Sequence, residues 1–280
     1  MTFLVLLLAL LVERFSRWRL HIQQDIFWLR LLDRVETNPD LAGDPRRALF
    51  RLVLLSALVL GVLLALLSLP LYGWLALPLH VFVLVYSLGR GDILTELKPF
   101  REAWRRGDSE AACLAAERDL AVGAEESLSL LRRVQGYLLW QAYQSFFAVI
   151  FWYALLGPVA VLAYRLTALT GEHTSLPALR EHSVRLRHLL DWLPARGLAL
   201  SFALVGNFGA VFRVLLRYLS DREVPAAKVV IEAGRAANEG LEAEVLAGEA
   251  GLMTLDELWQ LLVRAGMLWY VVMALAILFL

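Results

Sequence analysis

An acid, an indole, a proline and an arginine stand directly before an apolar run in DWLPAR, residues 191–196. Arg185 and Arg187 lie on the turns that precede it. Together with Arg196 they could surround a phosphate or carboxylate at the membrane edge, because a guanidinium fork matches both anions. Pro194 predicts that a new helix starts here, and the dipole of that helix would favour an anion. These residues predict a pocket for an anionic ligand.

The same residues also have a plainer interpretation. Arg187 and Asp191 are four positions apart, so they could form an ion pair on a solvated helix face. His182, Ser183 and Asp191 have the residue types of a catalytic triad, but neighbours in a helix point about 100° apart. His182 and His188 are six positions apart and fall on different faces of a helix, which disfavours a metal site. No catalytic residue and no metal ligand is therefore predicted.

Composition and motifs exclude several classes of protein. The chain has 280 residues, of which 59% are hydrophobic and 19% charged, and its formal net charge is zero. The apolar excess is typical of membrane proteins, and the balanced charge gives no basic field for nucleic acid. No G-x-x-x-x-G-K-[ST] motif occurs, and Cys113 is the single cysteine, so no cofactor is predicted.

Charge-free stretches set the predicted membrane elements. Residues 52–88 contain no Asp, Glu, Lys or Arg, and PLYG divides them into two helices of a transmembrane hairpin. The polar residues 89–133 predict a cytoplasmic amphipathic helical insertion. Further membrane helices are predicted over 134–164, 193–212 and 258–280. The sequence therefore predicts an all-α, polytopic membrane protein, with one integral domain over 1–280 and about five or six membrane-associated helices.

Local signals predict an αα-hairpin within the polar insertion. An apolar stripe at helical spacing is formed by Ile93, Leu97, Phe100 and Trp104. The glycine in RRGDSEAA predicts a break, after which Asp108 or Ser109 would cap a second helix. We expect this hairpin to rest on the membrane face.

Two signals mark helix ends in the C-terminal half. Gly157-Pro158 should kink or break the stretch 134–164. Thr254 and Glu257 match an S/T-x-x-E capping box, which predicts that the last helix opens at this point.

The N-terminal apolar run is short. Residues 2–12 span about 16 Å, less than the roughly 30 Å of a hydrocarbon core. This run can cross only if Glu13 and Arg14 snorkel or pair inside the bundle, and we predict a buried helix-end pair. No basic residue precedes the run and no small-x-small cleavage site follows it, so we expect the segment to be retained.

The placement of Lys and Arg predicts the orientation. If every apolar segment spans, 22 of the 27 basic residues fall in three loops on one side, which the positive-inside rule places in the cytoplasm. If residues 193–212 instead lie along the interface, residues 165–257 share one side and the bias weakens.

Around DWLPAR the chain resembles the cobalamin-biosynthesis CobD/CbiB family, which carries a D-D-x-x-N-W-I-P-A-R segment there. RRGDSEAACLAAERDL and FFAVIFWYALLGPVAVLAYRL resemble two further stretches of that family. Within the superfamily the chain most resembles the AmpE branch of inner-membrane proteins. This resemblance lies in the opening LVLLLALLVERF and in the short connection from Tyr164-Arg165 to Asp191. The resemblance implies a retained or repurposed pocket that includes Tyr164, Arg165, Asp191, Trp192 and Arg196.

The chain departs from the synthase branch where that branch is rich in carboxylates. The family's E-S-x-A-E-N-x-x-D segment corresponds here to VQGYLLWQAYQSFF, which has no charge, and its N-t-x-D-S-M-x-G to LTALTGEH. Joining an amine to an activated carboxyl requires groups that orient ATP or a metal and move protons. The loss of these carboxylates argues against amide-forming activity.

Three functions stay open. The resemblance favours a non-enzymatic accessory or signalling protein of the bacterial inner membrane, which links peptidoglycan recycling to β-lactamase induction. The second is a CobD/CbiB-like membrane enzyme that amidates a corrinoid or another carboxylate, and the third is a muropeptide or lipid-handling transporter. The expected partners are the lipid bilayer and membrane or cytoplasmic proteins of cell-wall recycling. Aromatic side chains over 137–153 could also face a second copy in a homodimer.

Overall fold

The computed structural model describes residues 25–37, 73–88, 93–123, 127–219, 223–238 and 249–279, together with 5, 44, 47, 51, 53–54, 57–62, 65 and 221. Within these ranges the regular elements are helical and no strand occurs, which confirms the all-α fold class. The predicted Glu13–Arg14 pair, and half of the first helix of the 52–88 hairpin, lie outside the described residues.

The described helices follow one another in chain order, and a π-helical turn at Tyr143–Phe147 links the sixth to the seventh. They are α1 Ile26–Glu36, α2 Gly73–Ser87, α3 Ile93–Glu96, α4 Lys98–Arg105, α5 Ser109–Leu120, α6 Ser127–Ala142, α7 Ala148–Leu156, α8 Pro158–His173, α9 Pro177–Val205, α10 Phe208–Tyr218, α11 Ala226–Ala236 and α12 Glu249–Phe279.

The chain forms two compact units. The first contains Met1–Arg90 and Ala148–Asp191, and the second contains Gly91–Phe147 and Trp192–Leu280. The division falls inside the long helix α9, so neighbouring residues of DWLPAR belong to different units.

The core of the first unit joins α1 to α8 and to the start of α9. Trp28 and Leu32 of α1 pack with Leu166 and Leu169 of α8 and with Leu179 of α9, and all five side chains are buried. α8 also packs against α2 and α7. This packing fixes the positions of Tyr164 and Arg165 on α8, so α8 is the scaffold of the first unit's polar residues.

The αα-hairpin predicted within the second unit is confirmed. All four members of the apolar stripe from Ile93 to Trp104 are buried. α4 and α5 are joined at Gly107, whose φ of +73° favours glycine. The side chain of Asp108 accepts a hydrogen bond from the Ala111 amide at 2.9 Å and so caps α5.

The break predicted at Gly157-Pro158 is also confirmed. Gly157 has a φ of +79° and precedes α8, and Pro158 occupies the first position of that helix. A proline is well tolerated there because the first amides of a helix have no partner within it.

Two of the described helices are long and apolar enough to cross a membrane, Leu130–Leu156 and Glu249–Ala276. A third apolar helix, Leu77–Ser87, is shorter. α12 carries exposed apolar side chains along its length, including Met267, Val271 and Val272. Such a surface suits contact with lipid, since apolar patches of this kind are costly in water.

The helix start predicted at Pro194 is wrong. α9 begins at Pro177, which takes the first position of the helix, and continues through Pro194 to Val205. A proline inside a helix removes one backbone hydrogen bond, but the turn that follows it is packed, with Ala195 and Leu198 fully buried. The apolar stretch 193–212 is consequently not one helix, since it contains the end of α9 and the start of α10.

The capping box predicted at Thr254 is wrong as well. α12 already begins at Glu249. The hydroxyl of Thr254 donates to the Gly251 carbonyl at 2.6 Å and accepts from the side chain of Gln135 at 2.9 Å. A tertiary contact with α6 thus uses the oxygen that would have capped the helix.

Gly206 allows the corner between α9 and α10 to approach the end of α11. A Cβ atom at this position would lie 2.8 Å from Ala237 Cβ and 2.9 Å from the Ala237 carbonyl oxygen. We expect Gly206→Ala to lower the free energy of unfolding by about 1–3 kcal/mol, because these neighbours cannot rotate away. Unfolding by SDS in mixed micelles measures the change.

Gly266→Ala is the matched control for this prediction. A Cβ there would meet only Phe146, at an ordinary 3.7 Å. Replacing a glycine inside a helix should stabilise by about 0.5–1 kcal/mol. Equal effects of the two substitutions would contradict the proposed close approach at Gly206.

Candidate functional site

A buried hydrogen bond joins two of the predicted site residues in the first unit. The phenol of Tyr164, on α8, donates to Asp191 Oδ1, on α9, at 2.7 Å. Both residues are only 3% exposed. A buried carboxylate needs such donors, because its lost hydration must be replaced by protein contacts.

Arg187 supplies the positive charge next to this carboxylate. Its Nε lies 3.7 Å from Asp191 Oδ2, which confirms the predicted i,i+4 pair. Its NH1 atom lies 3.1 Å from the carboxylate of Glu172. The side chain is 19% exposed and that of Asp191 is 5% exposed, so the pair is largely buried and not on a solvated face.

Arg165 makes a second ion pair in the same unit. Its NH2 atom lies 3.4 Å from Asp25 Oδ2, and the side chain of Asp25 is 2% exposed. Asp25 immediately precedes α1, so the pair ties the start of α1 to α8.

Arg185 does not join these buried residues. It points to solvent and pairs with Glu181 at 2.5 Å, with the two side chains 67% and 58% exposed. An exposed i,i+4 pair of this kind contributes only about 0.3–0.5 kcal/mol. In the structure Arg185 is a surface residue of α9.

Trp192 and Arg196 lie in the second unit. The guanidinium of Arg196 lies over the Trp192 ring, 4.3 Å from its centroid. It donates to backbone carbonyl oxygens of Trp192, Tyr218, Leu219 and Asp221, at 3.1, 2.6, 3.3 and 2.6 Å. The last carbonyl groups of a helix have no amide partners within it. Arg196 donates hydrogen bonds to such carbonyl groups at the end of α10.

The predicted site residues therefore form two separate sets of contacts. Tyr164, Arg165, Arg187 and Asp191 belong to buried ionic contacts of the first unit, and Arg196 holds a helix end in the second. Sequence reasoning missed Asp25 and Glu172, which lie outside DWLPAR on other helices or at their ends. The signal that could have found them is that a buried arginine needs an acidic partner.

The serine of the triad considered from the sequence, Ser183, has a backbone partner. Ser183 is buried and donates to the Leu179 carbonyl at 2.8 Å. Across the described part of the chain, no group of three His, Cys, Asp or Glu side chains lies close enough to hold a metal ion.

Glu36 fixes the connection between α8 and α9. Its carboxylate accepts from the hydroxyls of Thr174 and Ser175, both at 2.6 Å, and from the Ser175 amide at 3.0 Å. Burial raises the pKa of Glu36, but these three hydrogen bonds outweigh it and hold the pKa below its ordinary value of 4.5. The ionised carboxylate is therefore the form that stabilises the fold.

We expect Glu36→Gln to lower the free energy of unfolding by about 1 kcal/mol at neutral pH, since charge-assisted hydrogen bonds are lost at a partly exposed site. A carboxylate whose pKa is lowered by folding stabilises the folded state at pH values above its unfolded-state pKa. This contribution disappears as the pH falls through the folded-state pKa. The difference between wild type and variant should shrink below pH 4.5. Unfolding midpoints measured at several pH values test this, and a difference that is independent of pH would contradict it.

Comparison with known proteins supplies the family. The family model described as "Regulatory signalling modulator protein AmpE" matches residues 1–239. The chain is 30% identical over 194 residues to the cobalamin biosynthesis protein CobD of Stutzerimonas stutzeri (strain A1501), covering 65% of this chain and 62% of that protein. It is 27% identical over 132 residues to the protein AmpE of Shigella flexneri, covering 43% of this chain and 46% of that protein.

The match thus spans less than two thirds of the length of either relative. No solved structure gives a significant match. The family model, however, covers far more than half of the chain, and the two apolar helices are those expected of a membrane protein. The chain belongs to the AmpE family of regulatory signalling modulator proteins.

Proposed function

We propose that this protein is a non-enzymatic accessory protein of the bacterial inner membrane that modulates signalling between peptidoglycan recycling and β-lactamase induction. The observation that carries the proposal is the AmpE family match over residues 1–239. The expected partners are the bilayer, proteins of cell-wall recycling and a second copy of the chain.

The contacts of the superfamily residues support a structural role for them. Tyr164, Arg187 and Asp191 are engaged with one another and largely buried. Arg196 is occupied by four backbone carbonyl oxygens. Side chains held in this way stabilise a scaffold and offer few groups to a substrate.

The uncharged segment VQGYLLWQAYQSFF also has structural contacts. Gln135 donates to Thr254, and the phenol of Tyr137 donates to Glu96 at 2.9 Å. Tyr143 is fully buried and stacks on Trp140, with ring centroids 5.0 Å apart. These residues hold α6 in the second unit and include no acid or base for amide formation.

A multi-pass topology is part of the proposal. Arg105 follows the apolar stripe of the polar insertion, and Ala178 lies beyond the candidate span Leu130–Leu156; both are exposed. In a Cys113→Ser background, Arg105→Cys and Ala178→Cys should react with a membrane-impermeant thiol reagent from opposite sides. Labelling of both from the same side would contradict the topology.

The role in recycling is tested by the muropeptide content of the cell. We expect deletion of the gene to change the cytoplasmic muropeptide profile measured by mass spectrometry, and the wild-type gene to restore it. An unchanged profile in the deletion strain would contradict the proposed link to recycling.

The second candidate function is an amide-forming enzyme that acts on a corrinoid or another carboxylate. It is favoured by the 30% identity to a protein named for cobalamin biosynthesis. Expression in a CobD-deficient strain tests it directly. Restored cobinamide formation would establish the enzyme and overturn the accessory role, whereas the accessory role predicts no restoration.

A further inference from the structure

A cleft of about 810 Å³ in the second unit is lined by four arginines from three helices. Arg132 comes from α6, Arg213 and Arg217 from α10, and Arg235 from α11. We call it the arginine cleft. It shares no residue with the predicted pocket around DWLPAR, and no function considered above uses it.

The helices position these side chains by simple periodicity. Ala210, Arg213, Val214 and Arg217 recur at spacings of three and four, so one face of α10 lines the cleft. Gly234 lets α11 approach α6 closely, because a Cβ there would lie 2.8 Å from both methyl groups of Leu139. This close contact brings Arg235 to α6, where it donates to the Arg132 carbonyl.

The cleft carries excess positive charge. Among the lining residues that the structure describes, four guanidinium groups face one carboxylate, that of Glu232. Glu232 itself accepts a hydrogen bond from the phenol of Tyr218 at 2.9 Å. None of the four arginines forms an ion pair with a carboxylate that the structure describes. The whole chain has zero net charge, so the excess is local.

In the absence of an anion, the positive charges of the arginines repel one another. Burial, and then the charge of Arg132, lower the pKa of Arg235. Arg213 and Arg217 are exposed and line the cleft. An anion bound among the four guanidinium groups would relieve the repulsion between Arg132 and Arg235 and receive the paired N–H donors of each guanidinium.

The location and size of the cleft narrow the choice of ligand. Arg132 lies in the first turn of the candidate span Leu130–Leu156, which puts the cleft at the end of a membrane helix. Its volume is in the range of about 300–1,000 Å³ typical of small-molecule pockets, too small for a nucleic acid. A phosphate group offers more acceptor oxygens than a carboxylate, so it can receive N–H donors from several guanidinium groups at once.

We propose that the arginine cleft binds a phosphate-bearing anion, either a soluble phosphorylated compound or the headgroup of an anionic lipid. The guanidinium groups contact the phosphate oxygens, and the ligand joins α6, α10 and α11. This inference is independent of the role in β-lactamase induction, and its test uses binding alone.

The first experiment measures binding of inorganic pyrophosphate to the full chain in an uncharged detergent by calorimetry. We expect saturable binding, and we expect the double variant Arg213→Gln/Arg217→Gln to raise the Kd about tenfold or more. Both side chains are exposed, so the variant should keep its fold, which the unfolding midpoint verifies. The matched control is Arg105→Gln, an exposed arginine of the same unit outside the cleft, which should leave the Kd unchanged.

A second arm distinguishes the two sources of phosphate. The protein is placed in nanodiscs of phosphatidylcholine alone or with phosphatidylglycerol, and lipid retained by the chain is identified by native mass spectrometry. Pyrophosphate binding that is equal in both discs supports a soluble ligand. Selective retention of phosphatidylglycerol, lost in the double variant, supports a lipid headgroup.

Three results would overturn the proposal. The first is that neither pyrophosphate nor phosphatidylglycerol binds. The second is that the folded double variant binds them as wild type does. The third is that Arg105→Gln weakens binding as much as the double variant, which would assign the effect to general surface charge.

Discussion

Replacing Asp191 by alanine is expected to lower the free energy of unfolding by about 3 kcal/mol, because it removes one partner of a buried ion pair. Arg187 would lose this carboxylate while keeping its contact with the half-exposed Glu172, and the buried phenol of Tyr164 would lose its acceptor. SDS unfolding in mixed micelles, followed by tryptophan fluorescence, measures the loss. The effect should be among the largest of any polar substitution in the first unit.

Two variants control for this result. Tyr164→Phe removes only the hydrogen bond and should cost about 1 kcal/mol. Arg185→Ala removes the exposed pair with Glu181 and should change stability by less than about 0.5 kcal/mol. If Asp191→Ala were as mild as Arg185→Ala, the buried contacts of Tyr164, Asp191 and Arg187 would not stabilise the fold as described.

Replacing Arg196 by methionine is expected to lower the free energy of unfolding by about 2–4 kcal/mol, because several hydrogen bonds from a charged donor are lost. Methionine retains much of the apolar stem that packs in this buried position, so the loss reports on the guanidinium. The carbonyl groups of Tyr218 and Asp221 accept the two shortest of these bonds. Without them the end of α10 should fray.

Hydrogen exchange resolved along the chain locates the effect. Faster exchange should concentrate at the C-terminal turn of α10, around Tyr218. Arg105→Met, at an exposed arginine of the same unit, should leave both stability and exchange unchanged. Exchange that rises uniformly over the second unit would contradict the assignment of Arg196 to one helix end.

Features that depend on neighbouring residues could be predicted from the sequence. The buried stripe from Ile93 to Trp104 follows from helical periodicity alone. The cap at Asp108 and the break at Gly157 each depend on a few adjacent residues with one strong preference. The pair between Arg187 and Asp191 was predictable for the same reason, since both residues share one helix face.

Features decided by tertiary contacts could not be predicted. Pro194 carries a local signal for a helix start, but α9 has already begun at Pro177 and its turn after Pro194 is packed. Thr254 carries a signal for a cap, but its hydroxyl contacts Gln135 of a helix more than 100 residues earlier. In each case a distant contact outweighs a local preference.

The candidate sites show the same limit. DWLPAR identifies Asp191 and Arg196, but their acceptors and partners come from α8, α10 and the residues after α10. The four residues of the arginine cleft belong to three helices, and only the spacing of Arg213 and Arg217 on α10 is visible in the sequence. A cluster of charged side chains from separate helices can be recognised only when the fold is known.

The most direct test of the regulatory role is β-lactamase activity before and after exposure to a β-lactam antibiotic, in isogenic strains with the gene intact, deleted and restored. A modulator of this signalling predicts that deletion changes the induced activity and that the restored gene returns it to the original level. Equal induction in all three strains, with the protein shown to be present in the membrane of the intact and restored strains, would contradict it.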